Sequence, residues 1–134
     1  MIVIIEEYNA FTNSIVHAIK KYSRKEVCVL QSSKTKTQEL LELNPEMIII
    51  ASLLLPFEKA KNIKDIVLHF FGKIPILGID EGFLLIAYIF GGKILAEKEH
   101  EQGQIKEIKL DSRGLFRSIG SKAKFTLYHS FLLD

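Results

Sequence analysis

Two unbroken apolar runs, Met1–Ile5 and Met47–Ala51, do most to limit what this 134-residue chain can fold into. Each is short, rich in isoleucine, and without a polar residue on either side of a strand period. A strand apolar on both faces must be covered on both, which is the condition of a parallel sheet between helical layers. The segments between such runs carry helical spacing. Ile15, Val16, Ala18 and Ile19 put one apolar face inward after a cap at Thr12 or Asn13. Leu40, Leu41 and Leu43 form the apolar side of a short helix opened by Thr37 and stopped by Asn44-Pro45. Ile63, Ile66, Val67 and Phe70 recur at helical intervals, predicting a helix over Phe57–Phe71 that Gly72 ends.

The remaining strands of this pattern are Val27–Leu30 and Ile74–Ile79, and a nearly all-apolar helix over Glu81–Phe90 ends at Gly91-Gly92. Beyond it the pattern changes to short strands, Lys93–Ala96, Ile105–Leu110 and Phe125–Tyr128, with a turn at Asp111–Gly114 and no helical period between them. The expected fold is α/β: a flavodoxin-like open, mainly parallel sheet with helices on both faces and a short antiparallel extension in the last third. The length suits one domain, 1–134.

Composition excludes several classes of function. The chain is 48% hydrophobic and its net charge is only +2, so nothing argues for nucleic acid. Lys20, Lys21, Arg24, Lys25, Lys34 and Lys36 gather against Glu26 and read as a solvated surface. The longest apolar run, Met47–Pro56, is about half of the ~20 residues that a membrane-spanning helix needs. The start turns acidic at Glu6-Glu7 and lacks the basic region of a signal peptide. Cys28, the single cysteine, fits a reducing cytoplasm and reads as a small buried hydrophobe. His17, His69 and His100 have no metal-ligand spacing, so no metal and no cofactor is expected.

The segment with chemical content is Gly78-Ile79-Asp80-Glu81-Gly82, between a buried strand and a buried helix. This is the G-x-Nu-x-G pattern of a nucleophile elbow, whose middle residue projects from a strained turn at the carboxyl end of the sheet. Five residues with two glycines are a weak signal alone, but other segments accompany them. Ile4 to Thr12 reads I-I-E-E-Y-N-A-F-T; Leu43-Asn44-Pro45 precedes a strand; Gly72 to Ile79 reads G-K-I-P-I-L-G-I. Phe90-Gly91-Gly92-Lys93, Arg113-Gly114-Leu115-Phe116 and Tyr128-His129-Ser130 follow.

In this order and spacing the chain resembles the class I glutamine amidotransferases, in particular the glutamine subunit (component II) of anthranilate and aminodeoxychorismate synthase. The resemblance runs over the whole chain and implies a chorismate-using synthase subunit as partner. It also implies three departures. The family's elbow cysteine is Asp80 here, and its neighbouring histidine and glutamine are Phe83 and Leu84. A carboxylate is a far poorer nucleophile toward an amide than a thiolate. The family's glycine-containing oxyanion loop corresponds to Ser52, Leu53, Leu54 and Leu55, where leucines resist the required backbone conformations. One lost oxyanion donor costs roughly 10²–10³ in rate. The late segment carrying the family's base histidine and glutamate has no counterpart up to Asp134, and His129 matches the Y-H-S segment instead.

The expectation is therefore a degenerate domain that does not hydrolyse glutamine and acts in binding or regulation. Gly103, His129 and Ser130 match positions near the family's glutamine. Leu53, Leu54, Leu55, Phe83 and Leu84 either fill the former pocket or form an apolar patch for a partner or a homodimer. Two enzymatic alternatives stay open: an active amidotransferase completed by another chain, and a hydrolase using Asp80, with His129 the one candidate base. A response-regulator receiver, suggested by Glu6-Glu7, would need an aspartate where Ala51-Ser52 stand.

Overall fold

The computed structural model describes residues 1–7, 10–51, 56–97 and 102–134. They divide into two compact units, Met1–Lys93 with Leu133, and Ile94–Leu132 with Asp134.

In the first unit, β1 (Ile2–Glu6), β2 (Val27–Gln31), β3 (Met47–Ile50) and β4 (Ile76–Gly78) form one sheet in the order β2-β1-β3-β4. All three pairings are parallel, with Ile4 opposite both Val29 and Ile49, and Ile50 opposite Gly78. The apolar runs thus become the two central strands, as two-sided burial requires. Helices α1 (Thr12–Tyr22), α2 (Thr37–Leu43), α3 (Lys61–Phe70) and α4 (Glu81–Ile89) connect or follow these strands.

Strand alternation splits the core in two. Val3, Ile5, Ile48 and Ile50 point to the face covered by Leu40 of α2, Ile63, Ile66, Val67 and Phe70 of α3, and Leu85 of α4. Ile4, Ile49 and Ala51 point to the opposite face, against Ile15, Val16 and Ile19 of α1. The expected mainly parallel sheet with helices on both faces is the observed one. Cys28 is half-buried and packs against the first of these clusters.

Several local expectations are corrected. The residue before α1 is Phe11, in a helical conformation, and no side chain caps the helix. Thr12 instead donates from Oγ1 to Glu6 Oε2 at 3.2 Å, because the carboxylate at the end of β1 is a stronger acceptor than water. Ala18 is exposed, so the inward stripe of α1 is narrower than its apolar positions suggest. The predicted helix over Phe57–Phe71 breaks into a 3₁₀ turn, Phe57–Lys59, and α3, with Ala60 between them outside helical geometry. α2 stops at Asn44, which adopts the left-handed conformation (φ 47°) common at helix ends.

In the second unit, β5 (Ile94–Ala96) pairs with β8 (Phe131–Leu133), and β6 (Ile105–Lys109) pairs antiparallel with β7 (Lys122–Thr126). β7 starts before and ends before the expected Phe125–Tyr128, and β8 was not foreseen; its three residues carry too short a pattern to register as a strand.

Candidate functional site

The elbow is built by close approach of β4, α4 and β3. Ile79 N–H donates to Ile50 O at 2.8 Å, and Gly82 N–H donates to Ala51 O and Ile79 O, both at 3.0 Å. These bonds pull the start of α4 onto the end of β3. A Cβ on Gly82 would stand 1.9 Å from Ile50 O, and one on Gly78 would stand 2.6 Å from Phe83 Cα. Both glycines are therefore obligatory for the approach. Between them Asp80 adopts φ 55°, ψ −125°, a region that costs a non-glycine residue about 1–3 kcal/mol. Asp80 is exposed at the apex. Glu81 follows in the first turn of α4, and its Oε2 is buried without a hydrogen-bond partner among the described residues.

The two described members of the expected apolar cluster differ in exposure. Leu84 is buried, so it cannot belong to an exposed patch. Phe83 is 49% exposed beside it. Ser52, Leu53, Leu54 and Leu55 lie outside the described residues.

A buried polar cluster that sequence reasoning missed sits at the carboxyl end of β1. The sheet order places this end where chain connections diverge to opposite faces, the usual location of crevices in such sheets. Glu7 is almost fully buried and its carboxylate accepts four hydrogen bonds. They come from Gln31 Nε2 (2.8 Å), Ser32 Oγ (2.7 Å), Ser33 N–H (2.8 Å) and Ser33 Oγ (3.2 Å). Burial pushes this carboxyl up, but the four donors outweigh burial and hold it below its ordinary 4.5. Asn62 of α3 extends the cluster by donating to Ser32 O and Thr35 O at 2.6 and 2.9 Å. The cluster is self-satisfied, which makes it a clamp for the turn after β2. The polar triplet Gln31-Ser32-Ser33 directly after an apolar strand was the available signal.

The three positions that the resemblance matches to the family's glutamine, Gly103, His129 and Ser130, lie in the second unit. Gly103 (φ 80°) donates its N–H to Leu127 O at 2.8 Å, and the preceding Gln102 reaches Ser130 Oγ at 3.2 Å. Ser130 O accepts from Glu97 N–H at 2.9 Å. His129 Nδ1 lies 3.9 Å from Glu97 Oε2 and has no hydrogen-bond partner among the described residues. Among the described residues no three His, Cys, Asp or Glu side chains converge as a metal site, and no helix is long and apolar enough to cross a membrane.

Comparison with known proteins gives this geometry its context. The family model for class I glutamine amidotransferases matches residues 3–134. The chain belongs to the class I glutamine amidotransferase family. This amidotransferase-family chain is 31% identical over 134 residues to the bifunctional protein TrpGD of Thermotoga maritima, covering 99% of itself and 23% of that protein. It is 28% identical over 133 residues to the aminodeoxychorismate/anthranilate synthase component 2 of Bacillus subtilis, covering 99% of itself and 68% of that protein. Among solved structures, a glutamine amidotransferase of Thermotoga maritima superposes with a TM-score of 0.77 at 17% identity, over 99% of this chain and 61% of that one. The amidotransferase fold is thus shared, and the chain spans only part of the length of these relatives. As an amidotransferase domain it is related to component 2 of the anthranilate and aminodeoxychorismate synthases.

Proposed function

We propose that this chain is an amidotransferase-like domain that does not hydrolyse glutamine and serves as a binding or regulatory partner of a chorismate-using synthase subunit. The observation that carries the reading is Asp80. The turn retains the strained conformation that presents a nucleophile, while the residue presented is a carboxylate where the family resemblance expects a cysteine. Carboxylate attack on an amide has a poor nucleophile, and the leucines at 53–55 remove the backbone freedom of an oxyanion loop. Relatives named as component 2 of anthranilate and aminodeoxychorismate synthases support the partner class. On this reading the two compact units are parts of one family domain over 1–134, working in the cytoplasm. A homodimer would use Phe83 and the 53–55 segment, with Leu84 left out because it is buried.

The test is ammonia release from glutamine by the unmodified chain and by Asp80→Cys, each with and without the synthase subunit of the same organism. The unmodified chain is expected to release none in either condition. Ammonia from it would overturn the reading and favour an active amidotransferase completed by the other chain. The retained elbow strain favours one second reading, a hydrolase in which Asp80 attacks an sp³ carbon. Single-turnover reactions in ¹⁸O-labelled water would then place label in the Asp80 carboxylate.

A further inference from the structure

The Arg113-Gly114-Leu115-Phe116 segment plays no part in the elbow. It lies in the connection between β6 and β7, in the second unit, as a 3₁₀ turn over Gly114–Phe116. Phe116 N–H donates to Arg113 O at 3.2 Å and Ile119 N–H to Phe116 O at 3.0 Å, so the tip has a defined shape. Yet its apolar side chains face outward: Leu115 is 77% exposed, Ile119 52% and Phe116 41%. Apolar side chains left exposed together on an ordered turn mark an interaction site.

The arm is also cationic. Between Ile105 and Thr126 stand six basic residues, Lys106, Lys109, Arg113, Arg117, Lys122 and Lys124, and two acidic ones, Glu107 and Asp111. Both acids are already engaged, Glu107 by Lys122 at 2.9 Å and Asp111 by Arg113 at 3.0 Å. Lys109 stands directly opposite Lys122 across the two strands, a like-charge pairing that weakens a hairpin. A two-stranded hairpin is marginal by itself. Carboxylates from outside would offset the arm's remaining positive charge while an apolar pocket covered the tip.

We infer that the β6–β7 arm is a docking element for a partner protein whose surface offers an apolar pocket for Leu115 and Phe116, rimmed by carboxylates. The inference rests on the partner reading proposed above and assigns it residues other than those of the elbow. The excess positive charge sets the sign of the partner's rim, and the hydrogen-bonded 3₁₀ tip suits a shaped pocket better than a fluid lipid surface.

The experiment measures binding of the full chain to the chorismate-using synthase subunit of the same organism by calorimetry. Leu115→Glu, Phe116→Glu and Arg117→Glu are compared, with circular dichroism to verify the fold. Each is expected to weaken binding at least tenfold, and raising the salt concentration is expected to slow association. Tight binding that all three variants retain would overturn the docking surface and leave the partner reading intact. No binding by the unmodified chain would overturn both. Equal sensitivity of the variants in co-sedimentation with phosphatidylserine vesicles, with no synthase binding, would make the arm a membrane contact and sink the protein-partner assignment.

Discussion

Glu7 shows how one carboxylate can hold a sheet edge together. It is enclosed by donors from the Gln31–Ser33 turn, so its charge is stabilised only while that turn is folded around it. Glu7→Ala removes the common acceptor and leaves the Ser32 hydroxyl buried without its partner. An expected loss of about 2–3 kcal/mol follows from the usual worth of hydrogen bonds to a charged group, and urea unfolding would measure it. The pH dependence has a definite sign. The folded carboxyl lies below its unfolded value of 4.5, so its stabilisation is complete above that pH and is lost as pH falls through the folded value. Glu7→Gln should therefore flatten the acid limb of a stability–pH curve; an unchanged limb would show that the clamp is not what titrates.

At the scale of elements, the junction of β4 and α4 depends on backbone contacts that admit no side chain. Gly82→Ala sets a methyl group 1.9 Å from Ile50 O, so α4 must move off β3. The expected cost is about 3 kcal/mol, read as a lowered thermal midpoint, whereas Gly103→Ala, with open space around it, should cost only the strain of its positive φ. These contacts also explain what the sequence disclosed. The isoleucine runs of β1 and β3 and the glycines of the elbow were legible because each has one physical use: two-sided burial, or close approach. The break at Ala60, the 3-residue β8 and the missing cap of α1 were not, because they depend on partners remote in sequence. Thr12 looked like a helix cap until Glu6 supplied a better acceptor. The Glu7 cluster was hidden for the same reason, since its donors come from 24–26 residues further along.

For the whole molecule, the sheet of the first unit carries α2, α3 and α4 on one face and α1 on the other. With Leu84 buried, the proposed self-association rests on Phe83 among the described residues. Phe83→Asp is expected to shift the chain to monomer in light scattering; a dimer that survives the change would have to use another surface. The sheet order has a further consequence for how the chain is made. β1 lies at the centre and its Ile2 pairs with both Val27 and Met47. A ribosome adding 5–20 residues per second reaches Met47 roughly 2–9 s after Ile2. During that interval β1 has at most one of its two parallel partners, so the centre of the sheet cannot close until Met47–Ile50 has been made.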